Sequence, residues 1–104
     1  MNVQTKFTIG QIVTHLLFGY RGVIYDVDPV FLGSEDWYDQ MAKSRPPKDQ
    51  PWYRVLVHGA QHETYVAERN LTPDSSGDAI VHPAVAALFS EFRDGIYSLR
   101  RPVV

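Results

Sequence analysis

Two β-rich runs hinged on a glycine constrain this chain more than any other stretch. Gly10-Gln-Ile-Val-Thr-His15 runs on into Phe18-Gly-Tyr-Arg-Gly-Val-Ile-Tyr-Asp-Val-Asp-Pro29. Over residues 11–17, Val13, His15 and Leu17 alternate with Ile12, Thr14 and Leu16, the period of two that a strand requires. Gly19 lacks a Cβ and so admits the positive φ of a tight turn. Residues 20–28 form the second strand, with Val23, Tyr25 and Val27 on one face. Gly22 within it predicts a bulge or bend, and Pro29 ends the ladder because it has no N–H to donate. Such a hairpin is the opening of a small β-barrel, a fold that usually works by binding.

The connection over residues 30–50 predicts one short helix across residues 34–43. Ser34 is placed as its N-cap, Glu35 and Asp36 suit the first turn, and Trp37 and Met41 fall on one side before Pro46 and Pro47 forbid continuation. Residues 51–58 alternate again, Tyr53, Val55 and Val57 against Trp52, Arg54 and Leu56, and Gly59 can turn the chain back into a strand over residues 62–68. Residues 68–71 read as one closing helical turn, and residues 72–78 as a loop without periodicity. At the C-terminal end, Pro83 suits a helix start. Val85, Leu88, Phe89 and Phe92 repeat at helical spacing, and Gly95 stands where a C-cap belongs.

The expected architecture is mainly β: a small SH3-like, Tudor-like antiparallel barrel. It carries a short helix between its second and third strands and a C-terminal amphipathic helix, with an OB-like barrel as competitor. With 104 residues the chain is one domain overall. Residues 1–71 form the barrel, and residues 72–104 form a loop and helix packed on that barrel or on a partner copy.

The charge balance does not exclude nucleic acid, but it removes the easiest argument for it. Ten Lys and Arg against twelve Asp and Glu leave a net charge of −2, without the basic excess on which nonspecific duplex binding rests. The absence of cysteine removes disulfides, thiolate nucleophiles and Cys-based zinc sites. No apolar run approaches the ~20 residues of a membrane span, and residues 1–8 show no signal-peptide pattern, so a cytoplasmic protein without membrane partners is expected.

Four stretches together resemble the HspQ family of YccV-like hemimethylated-DNA-binding domains. They are Ile9-Gly-Gln-Ile-Val-Thr-His15, Gly19-Tyr-Arg-Gly-Val-Ile-Tyr-Asp-Val-Asp-Pro29, Pro51-Trp-Tyr-Arg-Val-Leu-Val57 and Thr64-Tyr-Val-Ala-Glu-Arg-Asn-Leu71. The resemblance spans residues 7–71, and residues 73–104 lie outside its motifs. It implies a small all-β heat-shock protein that self-associates. It also implies association with hemimethylated DNA and with the Lon protease, as a factor improving degradation of selected clients, and it carries no catalytic residues.

Two sets of binding residues follow from the residue types. Phe31, Trp37, Tyr38, Met41 and Trp52 are candidate protein contacts, because aromatic side chains with a polar tip anchor interfaces. Packing inside the barrel is the rival role for Trp52 and Tyr53. Lys43, Arg45 and Lys48, joined by Arg21 and Arg54, are the candidate nucleic-acid contacts. Glu35, Asp36, Asp39 and Asp49 surround them and favour a mixed-charge solvated loop. His58, His62 and Glu63 flank a turn without zinc-ligand spacing, and Asp26 and Asp28 share a strand face with no nucleophile nearby. Neither a Gly-x-Ser-x-Gly elbow nor a phosphate-cradling loop occurs. The expectation is therefore a non-enzymatic adaptor that binds proteins, with no cofactor, and with hemimethylated duplex DNA as the alternative ligand.

Overall fold

The computed structural model describes residues 4–101. The chain runs β1 (Ile12–His15), β2 (Arg21–Asp28), α1 (Glu35–Met41), β3 (Trp52–Val57) and β4 (Glu63–Ala67). A 3-10 turn (Glu68–Asn70), β5 (Leu71–Pro73), the single helical turn α2 (Val85–Leu88), β6 (Phe89–Arg93) and β7 (Ile96–Leu99) complete it. Five strands form one antiparallel sheet in the order β4-β3-β2-β1-β5, and β6 and β7 form a separate hairpin. No helix among the described residues is long and apolar enough to cross a membrane.

The alternation within β1 and β3 sorts side chains onto two cores. Val13, Ile24, Tyr53 and Val55 point to one side, where they meet Phe7, Val66 and Leu71. Val66 and Leu71 come from the two opposite edge strands, so the sheet curls strongly enough for its edges to share a core. It does not close: among the described residues no ladder joins β4 to β5. The expected barrel is thus a curled, open antiparallel sheet. The 3-10 turn explains the seam, because it carries the chain straight from β4 to the far edge, where Leu16 donates its N–H to Asn70 at 2.8 Å.

Three local expectations shift. The ladder irregularity in β2 falls between Ile24 and Asp26, not at Gly22. It also separates Val27, which packs with Tyr53, from Val23 and Tyr25, which pack on the other side of the sheet, so the three do not share one face. Gly22 is instead a point of close approach, where a Cβ would lie 2.5 Å from the Leu56 carbonyl oxygen. Residues 72 and 73, read as loop, extend β5, whose pairing with β1 places Thr14 opposite Thr72.

The largest correction is at the C-terminal end. The helix expected from Val85, Leu88, Phe89 and Phe92 stops at Leu88, and the chain continues as the β6–β7 hairpin. Asp94 and Gly95 both take positive φ, 54° and 79°, the paired left-handed geometry of a two-residue hairpin turn. Gly95 is therefore a turn residue rather than a helix cap. Most of the apolar set still faces inward: Phe89 and Tyr97 join Ile12, Val23, Leu56 and Ile80 on the second side of the sheet, with Val85 and Leu88 packed beside them, while Phe92 stays exposed.

Asp74, just past β5, is held by a fork of bonds from Arg21, with Nε to Oδ1 at 3.0 Å and Nη2 to Oδ2 at 3.2 Å. Arg21 first, with help from Ser76, depresses the Asp74 carboxyl from 3.8 to about 2. The native chain therefore binds fewer protons than the unfolded chain between those values. This pair's contribution is complete above pH 3.8 and is lost as pH falls toward 2. Thermal melts from pH 2 to 6 should show that decline in the wild type, and a shallower one in Asp74→Asn.

Candidate functional site

Local sequence builds α1 as expected. The Ser34 hydroxyl accepts from the Trp37 N–H at 3.1 Å, and Glu35 and Asp36 occupy the first turn. Its inner side seats Tyr38 and Ala42 against Trp52 and Ala67 in a third core cluster. Phe31 stands at the centre, with ring centroids 4.9 Å from Trp52, 5.4 Å from Tyr38, and 5.9 Å from both Trp37 and Tyr65. Two buried polar tips are satisfied by the proline segment: the Tyr38 hydroxyl donates to the Pro46 carbonyl at 2.6 Å, and the Trp52 indole N–H to that of Pro47 at 3.1 Å.

These contacts divide the expected protein-binding residues. Tyr38 and Trp52 are core residues, 5% and 1% exposed, because α1 needs an apolar seat on the sheet. Phe31 is half-buried among them. Trp37 and Met41 remain at the surface side of α1, with Met41 63% exposed.

Trp37 and Met41 form one wall of a groove of about 430 Å³. The β1–β2 turn supplies the opposite wall through His15, Leu17, Phe18 and Tyr20, and all five residues of β4 line the space between them. The groove is thus the unclosed seam of the sheet. Leu17 and Phe18 project at the turn with 58% and 77% exposure.

His15 holds that turn in shape. Its Nδ1 accepts from the N–H groups of Leu17 at 3.1 Å and Phe18 at 3.2 Å, so the ring proton sits on Nε2. The imidazole stacks on Phe18 at 4.7 Å and lies 5.0 Å from Tyr20, and burial pushes its pKa down. The Tyr20 hydroxyl bonds to that of Thr64 at 2.7 Å, tying the turn to β4, and burial raises its pKa. On the other side of the seam, Tyr65 donates to Asp28 at 2.5 Å. Burial first, and that carboxylate second, push the phenol up to about 12.

The candidate nucleic-acid residues do not form a free basic stripe. Arg45 pairs with Asp39 at 2.8 Å, Lys48 with Glu35 at 2.5 Å, Arg21 with Asp74 at 3.0 Å and Arg54 with Glu63 at 3.9 Å. Arg45 and Lys48 also lie over the Tyr38 ring, at 4.5 and 4.3 Å. Lys43, on the groove's rim, forms no ion pair among the described residues.

His58, His62 and Glu63 are engaged separately. The Nδ1 of His58 accepts from the Val81 N–H at 2.9 Å, and the His62 carbonyl bonds to His82 Nε2 at 3.0 Å. Glu63 accepts from the Tyr25 hydroxyl. Asp26 accepts from the Val27 N–H within β2, and Asp28 holds Tyr65.

Sequence reading missed the second wall. The signal was present in Leu16-Leu17-Phe18, an apolar run set in a glycine turn where turn residues are usually polar. Only the curl of the sheet brings that turn opposite α1.

A family model described as hemimethylated DNA-binding protein YccV like matches residues 5–96 of the chain. The match passes well beyond Leu71, where the recognised sequence motifs end, and takes in β6 and the first residue of β7. The C-terminal segment, expected to lie outside the resemblance, falls largely within the matched region.

Proposed function

Because this chain belongs to the YccV-like family, we propose that it is a non-enzymatic, adaptor-type module that takes protein partners in the seam groove. The partners implied by the HspQ resemblance are the Lon protease and the clients whose degradation it modulates. The observation that carries this reading is the concentration of exposed apolar side chains, Leu17, Phe18 and Met41, around one groove. Of the candidate nucleic-acid contacts, all but Lys43 are already paired with carboxylates. The imidazole and the carboxylate of the groove are already engaged: the His15 lone pair takes two N–H groups, and Glu63 takes Tyr25 and Arg54. Self-association belongs to the same reading, through Val81, Ile96 and Leu99, which stay exposed after Phe89 and Tyr97 enter the core.

The test is degradation of a client by purified Lon with the chain added. Wild-type protein should change the rate. Phe18→Asp should remove that effect, since loss of a central aromatic anchor costs ≥ ~2 kcal/mol, about thirtyfold in affinity. Phe18 is 77% exposed, so the melting temperature should hardly move. Full activity in Phe18→Asp would overturn the groove as the site.

The family description favours a second reading, hemimethylated duplex DNA, with Lys43 as its free cation. Each phosphate neutralised contributes about −0.9 to the slope of log K against log salt. A steep slope together with discrimination between methylation states would support DNA. A flat one leaves the protein reading standing.

A further inference from the structure

We infer that the seam accepts an extended polypeptide as an added strand on the outer edge of β4, the segment being a continuous apolar run with an acidic residue at one end. This inference rests on the protein-binding reading and specifies the partner of the same groove.

The alternation of the β3–β4 ladder fixes which main-chain groups are free. Val57 N–H bonds to His62 C=O at 3.4 Å and Glu68 N–H to Pro51 C=O at 3.0 Å, so residues 62, 64, 66 and 68 turn their polar groups toward β3. Glu63 and Tyr65 therefore turn theirs outward. β4 is the last strand on that side of the sheet, and no main-chain partner meets those two residues among the described residues. Ala67, next in the alternation, is buried beneath α1 and ends the usable edge. About four unpaired donors and acceptors thus lie along the floor of the groove. A second main chain satisfies such a row at regular spacing, which is the recognition mode of strand addition.

The walls then select the side chains. Side chains of an added strand alternate between the sheet's two faces. On the face shared by Tyr65, Arg54 and Trp52 they meet Trp37 and Met41; on the face of Thr64 and Val66 they meet Tyr20, Leu17 and Phe18. Both walls are mainly apolar, so the fitting segment is apolar at consecutive positions, the pattern of a strand buried on both faces. Folded proteins keep such runs inside and unfolded chains expose them. At the rim, Arg54 and Glu63 offset each other and Lys43 does not, which favours a carboxylate on the incoming segment.

The experiment uses the intact protein and short valine–isoleucine peptides ending in aspartate. Two versions carry N-methyl groups at alternate residues, one set in each register, so that only one set removes the N–H groups facing β4. The expected result is slowed hydrogen exchange at the Glu63 and Tyr65 amides on binding. One N-methyl register should also bind at least ~10-fold more weakly than the other, by loss of main-chain bonds. Lys43→Glu should weaken the aspartate peptide a few-fold, as expected for a rim charge. Equal affinity for both registers would overturn strand addition while leaving the groove reading intact. Peptides that leave the Leu17, Phe18 and Met41 signals unmoved, while a hemimethylated duplex moves them, would overturn both.

Discussion

Trp52→Ala is expected to lower unfolding free energy by about 3–5 kcal/mol, the range for deleting a fully buried indole from a packed cluster. Trp52 is 1% exposed, and its ring lies 4.9 Å from Phe31, 5.2 Å from Tyr65 and 6.1 Å from Trp37. Those neighbours belong to three different segments, so no single side chain can move in to fill the void. The indole N–H also satisfies the Pro47 carbonyl, which would lose its partner. Domains of this size are stable by only about 5–15 kcal/mol, so the loss is a large share of the whole. Urea unfolding measures it directly as a lower midpoint at unchanged slope. Trp52→Phe should recover part of the loss through shared ring contacts. A shift of less than about 1 kcal/mol in Trp52→Ala would contradict the packing described here. Because Trp37 stands on this cluster, the groove wall should loosen with it.

Gly10→Ala is expected to detach the C-terminal hairpin from the sheet. Gly10 has φ of +92°, and a Cβ there would lie 1.9 Å from the Tyr97 carbonyl oxygen and 3.0 Å from its carbon. Both are backbone atoms, so no rotamer change relieves the clash. Gly10 also accepts from the Tyr97 N–H at 2.9 Å and donates to the Ile24 carbonyl at 2.8 Å, joining hairpin to sheet. The positive φ alone costs an ordinary residue about 1–3 kcal/mol. Phe89 and Tyr97 would leave the core shared with Ile12, Val23 and Leu56, adding to that cost. Hydrogen exchange at the Tyr97 amide should accelerate more than at β3 amides. Unchanged protection at Tyr97 would show that the hairpin does not depend on this close approach.

The first four strands were legible because their alternation is local, broken only in β2, where the irregularity after Ile24 moves Val27 to the face of Tyr53. Val13, Ile24, Tyr53 and Val55 face inward much as their spacing requires. The C-terminal helix was misread because Val85, Leu88, Phe89 and Phe92 satisfy helical spacing, while the opposing signal is only the dipeptide Asp94-Gly95. β5 was missed because it is short and contains Pro73, which a strand tolerates only at an edge. At the site, Trp37 and Met41 could be placed from α1 alone. Their companions Leu17 and Phe18 could not, because the seam that faces them depends on the curl of the whole sheet. The charge pairs divide the same way. Asp39 with Arg45 and Glu35 with Lys48 form within one loop, whereas Arg21 and Asp74 meet across 53 positions of sequence.

The pairing of Arg21, Arg45, Lys48, Arg54 and Arg93 with carboxylates, in a chain of net charge −2, has a kinetic consequence. With little long-range field to draw a partner in, diffusional encounter should proceed at the unsteered rate of about 10⁵–10⁶ M⁻¹s⁻¹. Association should then be nearly indifferent to ionic strength, and differences between one bound protein and another should lie in how long each stays.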